Sequence, residues 1–389
     1  MRNFIEIANE SVRLEEGISI IEQLLLECYM NPGISTKELA RAALIPIPVA
    51  AAVKRELIKA GAIEQDKGAR CSMRGRVWVE EQWGYRGINK KLYQELMACE
   101  DLSHPELHNL LVVLKEIMIH RPMVDVRIDQ SKCTPETSLR RALLCLRQQT
   151  LVGKQILCVG DDDLVSISIG LLLQVLFPNG GHSKTIVQVI DVDERFLQYI
   201  HDIAQLRQLP IQYVHHDLRE QLPARLHGQF DCFFTDPPYT LQGMSLFVSR
   251  GISALRKRKG LPIFLSFAHK SPDFMFAMQR EFIRMGITTS ATLPRFNEYE
   301  GAEIIANRSQ MIILKTTERT MPECKGRFMD ALYTGEVRQT IRKYQCKRCG
   351  NKITVGIQGK MATIEQLKQR GCLSCGNDTF HLISKKKVK

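Results

Sequence analysis

The sequence predicts an α/β chain built on a doubly wound, mostly parallel sheet. Three observations predict it. Strand-like apolar runs at 155–159, 185–191, 211–215, 230–235, 261–267 and 309–315 alternate with helical stretches, the pattern of a sheet covered by helices on both faces. The run Gln155–Val159 enters a tight turn, Gly160-Asp161-Asp162-Asp163. The run ending at Thr235 delivers Asp236-Pro237-Pro238-Tyr239. Ligands of such sheets lie beyond the carboxyl ends of the strands. The acids at those ends, Asp161 to Asp163, Asp191, Asp217 and Asp236, are therefore the candidate site. A lone Asp in a turn is usually a turn former; four strand ends each delivering acid form a pattern.

The chain of 389 residues exceeds one ordinary domain. We divide it into 1–87, 88–150, 151–318 and 319–389. In the first part, apolar residues at helical spacing fill Ile18–Cys28, and Asn31-Pro32-Gly33 ends that helix. Ser35-Thr36-Lys37-Glu38 is a capping box. Ile45-Pro46-Ile47-Pro48 breaks the short helix that follows, and Pro48 suits the first turn of the next, which stops at Gly61. Ala62–Val79 then predicts two short strands around Asp66-Lys67-Gly68. The whole reads as a winged helix-turn-helix, with Arg70, Arg74 and Arg76 on or near the wing. Phosphate-contacting residues alone carry no sequence information, so an interaction or dimer module is the preferred reading over a DNA reader. Residues 88–120 predict an amphipathic helical connector and Val124–Gln130 a strand. Thr134-Pro135-Glu136-Thr137 opens a helix through Arg140, Arg141 and Leu146.

The net charge of +12 admits a polyanion partner without requiring one. No basic-then-apolar leader opens the chain, and no apolar run reaches the roughly 20 residues that span a bilayer. Eight of the twelve cysteines are scattered, several in apolar runs. Free thiols and one metal site are expected in a reducing cytoplasm.

Chemistry concentrates in two motifs. Turns after the first strand of a nucleotide-binding sheet usually hold glycines. Three aspartates there repel a phosphate or carboxylate and attract a cation. Asp191 ends the second strand, where a carboxylate characteristically takes both ribose hydroxyls. Asp217 follows the third strand and is a weaker candidate for an adenine amino group. Asp236-Pro237-Pro238-Tyr239 resembles the motif of S-adenosylmethionine-dependent methyltransferases that modify exocyclic amino groups; the prolines stiffen a turn that aims the acid and the ring. Such methyltransferases carry a Gly-rich first loop and a donor with a carboxylate, which this acidic loop disfavours. Decarboxylated S-adenosylmethionine lacks that carboxylate and keeps its sulfonium and amine.

Gly160-Asp161-Asp162-Asp163 and Asp236-Pro237-Pro238-Tyr239-Thr240, with Asp129-Gln130, Thr134-Pro135-Glu136-Thr137 and Arg140-Arg141 upstream, resemble the branched-chain polyamine synthases over most of residues 1–316. These aminopropyltransferases make N4-bis(aminopropyl)spermidine. The resemblance implies a methyltransferase-type Rossmann-like domain, a decarboxylated S-adenosylmethionine donor, a spermidine-like acceptor and a homodimer. It implies that Asp163, Asp236 and Asp162 are catalytic. It implies that Asp161, Asp162, Pro237 and Tyr239 meet the acceptor, and that Gln130, Gly160, Asp163, Asp191 and Asp217 hold the donor. A nucleic-acid amino-methyltransferase is the competing reading; nucleic acid as a partner is not favoured.

Cys346-Lys347-Arg348-Cys349-Gly350 and Cys372-Leu373-Ser374-Cys375-Gly376, 22 residues apart, form two knuckles. Four thiolates suit tetrahedral Zn²⁺ in a closed structural site, so a zinc ribbon is expected at the C-terminus. His215, His216 and His269 are expected to be structural, and Tyr299 with Glu298 to Glu303 to lie near the acceptor.

Overall fold

The computed structural model describes residues 4–12, 14–15, 17–180, 184–300, 307–337, 340–356, 361 and 364–387. Four helices open the chain: α1 (Phe4–Val12), α2 (Ile18–Met30), α3 (Thr36–Ala42) and α4 (Ile47–Lys59). The capping box at α3 is complete: Glu38 N donates to Ser35 Oγ at 3.2 Å, and Ser35 N to Glu38 Oε2 at 2.8 Å. An antiparallel hairpin follows, β1 (Ile63–Gln65) and β2 (Ala69–Cys71). Gly68 is obligatory there, since a Cβ would stand 1.9 Å from the Gly33 carbonyl oxygen.

The second strand does not continue to Val79. It gives way to α5 (Met73–Val77), because Ser72 caps that helix through Gly75 N at 3.1 Å; a π-helical turn, Trp78–Gln82, extends it. Helices α6 (Lys90–Ala98) and α7 (Pro105–Ile119) form the connector. The strand expected over Val124–Gln130 is instead a 3₁₀ turn, Val126–Ile128. Asp125 Oδ1 accepts Arg127 N at 2.9 Å, a local bond that outcompetes extended pairing. The short β3 (Lys132–Cys133) leads into α8 (Pro135–Arg147), with Thr134 as its cap.

The central unit then runs β4 (Gln155–Val159), α9 (Val165–Leu176), β5 (Ile186–Asp191), α10 (Glu194–Arg207), β6 (Ile211–His215), β7 (Cys232–Thr235), α11 (Leu241–Ala254), β8 (Pro262–Phe267), α12 (Pro272–Arg284), β9 (Ile287–Glu300) and β10 (Arg308–Thr316). Its eight-stranded sheet has the order β3-β9-β10-β8-β7-β4-β5-β6. The run from β8 to β6 is parallel; β10, β9 and β3 are joined antiparallel. The sheet is therefore mixed, and the six anticipated strands recur within two residues at each end. The long β9 was not anticipated. It has no continuous apolar run, Pro294 interrupts it, and much of it is exposed, as suits a strand near the sheet's edge.

Side chains alternate between two cores, as the two-residue period of strands requires. Ile156, Cys158, Val187, Val189, Cys232 and Phe234 face one core, which continues without a break into α7–α10 and the N-terminal helices. Leu157, Val159, Ile190, Phe233, Ile263 and Leu265 face the other, closed by α11 and α12. In β4, β5, β7 and β8 both faces are buried, and the ends of these strands alone are left to meet a ligand.

Beyond β10 the chain turns back along the sheet, forms the single turn α13 (Thr334–Val337), and enters a smaller sheet. Its strands β11 (Thr340–Cys346), β12 (Lys352–Gly356) and β13 (Phe380–Lys387) are antiparallel in the order β12-β11-β13. With α14 (Ile364–Arg370) they enclose a small core of Tyr344, Val355, Met361 and Leu367. Among the described residues no helix is long and apolar enough to cross a membrane.

Candidate active site at the carboxyl edge of the sheet

The β4–α9 turn starts at Gly160, whose φ of +77° is the left-handed region that glycine enters freely. Its three aspartates then go three ways. Asp161 folds back onto α9: Oδ1 accepts Val165 N at 2.7 Å and Oδ2 accepts Ser166 N at 3.1 Å. A carboxylate there satisfies orphan amides at the positive end of the helix. Burial nevertheless pushes Asp161 up to about 7, with those hydrogen bonds opposing. Asp162 Oδ2 accepts Ser131 N at 3.2 Å; burial, then the charges of Asp163, Asp191 and Asp236, raise it well above the usual carboxylate range. Asp163 turns to a partner that the strand-end reading did not place in the site, Arg141.

Arg141 sits mid-way along α8 with its side chain 3 % exposed. Nη1 donates to Asp163 Oδ2 at 2.5 Å, Nη2 to Asp236 Oδ2 at 2.9 Å, and Nε to Asn297 Oδ1 at 2.9 Å. Burial works against its charge, but Asp163, Tyr299 and Asp236 outweigh it and hold the guanidinium protonated. Tyr299, from β9, donates to Asp236 Oδ2 at 2.6 Å, and Tyr239 to Asp236 Oδ1 at 3.0 Å. Asp236 is thus held by three donors. Burial raises it to about 6, with Arg141 pulling down and Asp163 pushing up. Asp163 Oδ1 is buried and finds no hydrogen-bond partner. An unpaired buried carboxylate oxygen is costly, so this atom is the natural acceptor for a ligand cation.

These groups line one cleft, with Gly160, Asp161 to Asp163, Arg141, Asp236, Phe234, Thr235 and Ser266 in its wall. Beside it, Asp191 spends both oxygens on main-chain amides, Oδ1 on Asp193 N at 2.8 Å and Oδ2 on Asp161 N at 3.0 Å. Burial raises it. Gln130 Nε2 donates to Asp193 Oδ2 at 3.1 Å, and Asp217 Oδ1 accepts Arg219 N at 2.9 Å. The returning chain reaches this side too. Thr334 N donates to Asp129 Oδ2 at 2.6 Å, Thr240 Oγ1 to the Leu332 carbonyl at 3.1 Å, and Arg219 lies 5.1 Å from the Tyr333 ring. Arg250 of α11 pins the same chain: its guanidinium donates to the carbonyls of Leu218, Arg219, Cys324 and Gly326 at 2.7–3.1 Å.

The edge thus brings together Asp161, Asp162, Asp163, Asp236 and Tyr239, with Gly160 and Asp191 beside them. Pro237 lies in the connecting turn, while Gln130 and Asp217 are not among the residues that line the cleft. Arg141 was visible only as part of a matched segment. Tyr299 had been placed near the acceptor; its contacts put the hydroxyl on Asp236. Residues 301–303 lie outside the described residues. Two of the three histidines have side-chain partners: His215 Nδ1 lies 3.2 Å from Glu194, and His269 Nε2 accepts Arg295 N at 3.4 Å, whereas His216 Nε2 is buried without a hydrogen-bond partner.

In the small sheet the Sγ atoms of Cys346, Cys349, Cys372 and Cys375 lie within 4.8 Å of one another. Cys346 and Cys375 are 3.6 Å apart and Cys349 and Cys372 3.5 Å. Four thiolates at about 2.3 Å from one Zn²⁺ would stand about 3.8 Å apart, so the cage fits that ion. The knuckles repeat each other: Cys346 N bonds Asn351 O, Cys372 N bonds Asn377 O, both at 2.8 Å, and Gly350 and Gly376 have φ near +70°.

A parallel sheet bearing acids at its carboxyl edge, closed by an antiparallel pair, defines a Rossmann-like fold of the methyltransferase class. The model of the branched-chain polyamine synthase A C-terminal domain matches residues 109–356. The chain belongs to that family. It is 33% identical over 383 residues to an uncharacterised protein of Methanocaldococcus jannaschii, covering 97% of this chain and 91% of that one. It is 32% identical over 259 residues to the N(4)-bis(aminopropyl)spermidine synthase of the same organism, covering 65% and 70%. The crystal structure of the branched-chain polyamine synthase from Thermus thermophilus, in complex with N4-aminopropylspermidine and 5'-methylthioadenosine, superposes with a TM-score of 0.52. That match has 23% identity and covers 85% of this chain and 96% of that one.

Proposed function

We propose that this chain is an aminopropyltransferase. It moves aminopropyl groups from decarboxylated S-adenosylmethionine to the internal secondary amine of spermidine, giving a branched polyamine and methylthioadenosine. Family membership supports the class of reaction. The observation that carries it to this site is Asp163 Oδ1, a buried carboxylate oxygen without a partner, beside Asp236 in a cleft lined by acids.

The step is a direct displacement. The amine lone pair forms a bond to the carbon next to sulfur, the carbon–sulfur bond breaks, and methylthioadenosine leaves with the bonding electrons. The protonated secondary amine must first shed a proton, which passes to solvent water. A carboxylate is a weaker base than an amine by roughly six pKa units on reference values, so the acids act by position and charge more than as strong bases. Asp163 and Asp236 hold the attacking nitrogen, with Arg141 keeping both carboxylates aimed. Tyr239 and Tyr299 fix Asp236 from either oxygen. Asp162 faces the polycation, while Asp161 shapes the loop by capping α9. Asp191, Gln130 and Asp217 take the nucleoside. A second transfer would start from the tertiary amine, likewise freed of its proton, and make a quaternary ammonium that has no proton to lose and is stabilised by the same carboxylates.

Around this centre we read residues 1–87 as a winged helix, 88–150 as a connector, 151–318 as the catalytic unit and 319–389 as a tail ending in a zinc ribbon. Cys346, Cys349, Cys372 and Cys375 hold Zn²⁺, which ties the tail together and takes no part in the reaction. The protein is read as a cytoplasmic homodimer. Incubating the purified chain with decarboxylated or intact S-adenosylmethionine, and with spermidine or DNA, tests the assignment. Methylthioadenosine release requiring both the decarboxylated donor and spermidine is expected. Methyl transfer from the intact donor to nucleic acid would replace this reading with the competing one.

A further inference from the structure

The chain's positive charge is not spread along it. Residues 340–389 carry twelve Lys or Arg against two Asp or Glu, a net of +10, so the preceding 339 residues hold only +2 of the chain's +12. The body that contains the cleft is close to neutral, and the module around the cysteine cage is strongly basic.

The sheet register shows how part of that charge is presented. Residues paired across an antiparallel sheet point to the same face. Tyr344, paired with Ile353 and Leu382, faces the small core with Val355, Met361 and Leu367. Its neighbours Lys343 and Gln345 therefore face the other way. Gln345 pairs with Lys352 on β12 and with His381 on β13; Lys343 pairs with Thr354 and Ser384; Ile341 pairs with Lys386. That open face carries Lys352, Lys343 and Lys386, all exposed, on a diagonal across the three strands. Adjacent members are one strand and two residues apart, about 8 Å between Cα atoms from standard sheet spacings. Lys347 and Arg348 extend the basic surface from the first knuckle and are exposed as well. The three lysines are accompanied by Gln345, His381, Thr354 and Ser384, which are hydrogen-bonding groups.

We propose that this face is a nucleic-acid-binding surface that reads the phosphate backbone without regard to sequence. Its partner must be a polyanion with closely spaced charges; a duplex presents one phosphate per roughly 1.7 Å of axis. Of the residues the register pairs on this face Ile341 alone is large and apolar, too little to enter a bilayer, which favours a nucleic acid over an anionic membrane. This inference stands on charge and register and is independent of the aminopropyl transfer.

The test uses the full, zinc-loaded chain and fluorescence anisotropy with labelled 20-base-pair DNA and labelled tRNA, titrated from 50 to 200 mM salt. The unaltered chain should bind, with affinity falling steeply as salt rises. The triple variant K343Q/K352Q/K386Q should bind at least tenfold more weakly and lower the salt slope by about three. Its zinc content and its methylthioadenosine release with free spermidine should not change. A matched variant in the N-terminal hairpin and the helix after it, K67Q/R70Q/R74Q, should bind as the unaltered chain does. The proposal is overturned if the sheet variant binds normally, if the hairpin variant alone loses binding, or if the chain binds vesicles of anionic lipid but neither nucleic acid.

Discussion

The cleft and the C-terminal module treat charge in opposite ways. In the cleft, acids are buried against one another and against a single guanidinium, so Asp161, Asp162, Asp191 and Asp236 are all raised above the usual carboxylate range. In the module, like charges stand in water on one sheet face. Buried charges interact strongly and are screened little by salt; exposed ones interact weakly and are screened within roughly a Debye length. The cleft is thereby suited to selecting a small polycation by position. The module is suited to gripping a long polyanion by number. The comparison also corrects the count of acids at the strand ends: Arg141 cancels part of the negative charge, so the cleft is less acidic than four strand ends suggest.

If the two regions are separable, metal removal has the largest effect and stays local. Structural zinc contributes about 10–16 kcal/mol to folding of small zinc modules. A strong chelator, or Cys372→Ser, should unfold the β11–β13 sheet by hydrogen exchange while β4–β8 stay protected. Loss of protection in β4–β8 as well would break the comparison.

Next come the carboxylates of the cleft. Asp236→Asn and Asp163→Asn should each lower kcat about 10²–10³-fold, the scale of one lost preorganised electrostatic contact, with the circular dichroism spectrum unchanged. Turnover within a few-fold of normal in both would remove these residues from the chemistry.

Arg141→Met tests the cleft's charge balance directly, because it leaves two buried carboxylates without their cation. Breaking such a pair costs about 3–5 kcal/mol, to be read from urea unfolding at pH 7. Asp236 is raised further without Arg141, so it is protonated at low pH and charged at high pH. The loss should therefore shrink as pH falls toward 5. The rising limb of kcat/KM, expected near pH 6 from the Asp163–Asp236–Arg141 cluster as a unit, should move to higher pH. An unmoved limb would dissociate Arg141 from Asp236.

The smallest effect is expected at Asp161. Asp161→Ala removes the acceptor for two α9 amides and should cost about 1 kcal/mol in thermal unfolding at pH 5. Asp161 is raised in the folded state, to about 7. Its folded form therefore holds a proton that the unfolded form has released, and its contribution to stability declines between about pH 4 and 7. The variant should lose that part of the decline, so its deficit narrows as pH rises.

The sheet was legible because its strands are long apolar runs ending in acids, and both signals are local. Asp163, Asp236 and Tyr239 were legible for the same reason: each stands at a strand end. Arg141 was hidden in an otherwise ordinary amphipathic helix, 22 residues before Asp163 and 95 before Asp236; only the fold brings them together. Tyr299 was visible as a neighbour and not as a ligand of Asp236, since β9 lacks a continuous apolar run and is interrupted by Pro294. The purpose of Asp161 also escaped, because a carboxylate aimed at a helix terminus has the same letters as one aimed at a substrate. In the small module the cysteine spacing disclosed the cage, but the diagonal of lysines exists only once the register of three strands is known.

Arg250 has a consequence for how substitutions distribute over evolutionary time. Its four acceptors are main-chain carbonyls, supplied alike by every amino acid. Leu218, Arg219, Cys324 and Gly326 can therefore drift in identity with their share of the fastening intact, whereas a single codon change at position 250 releases both chain segments together. The attachment is tolerant at four places and brittle at one, and a survey of variants would find that asymmetry before any alignment of the acceptors hinted at it.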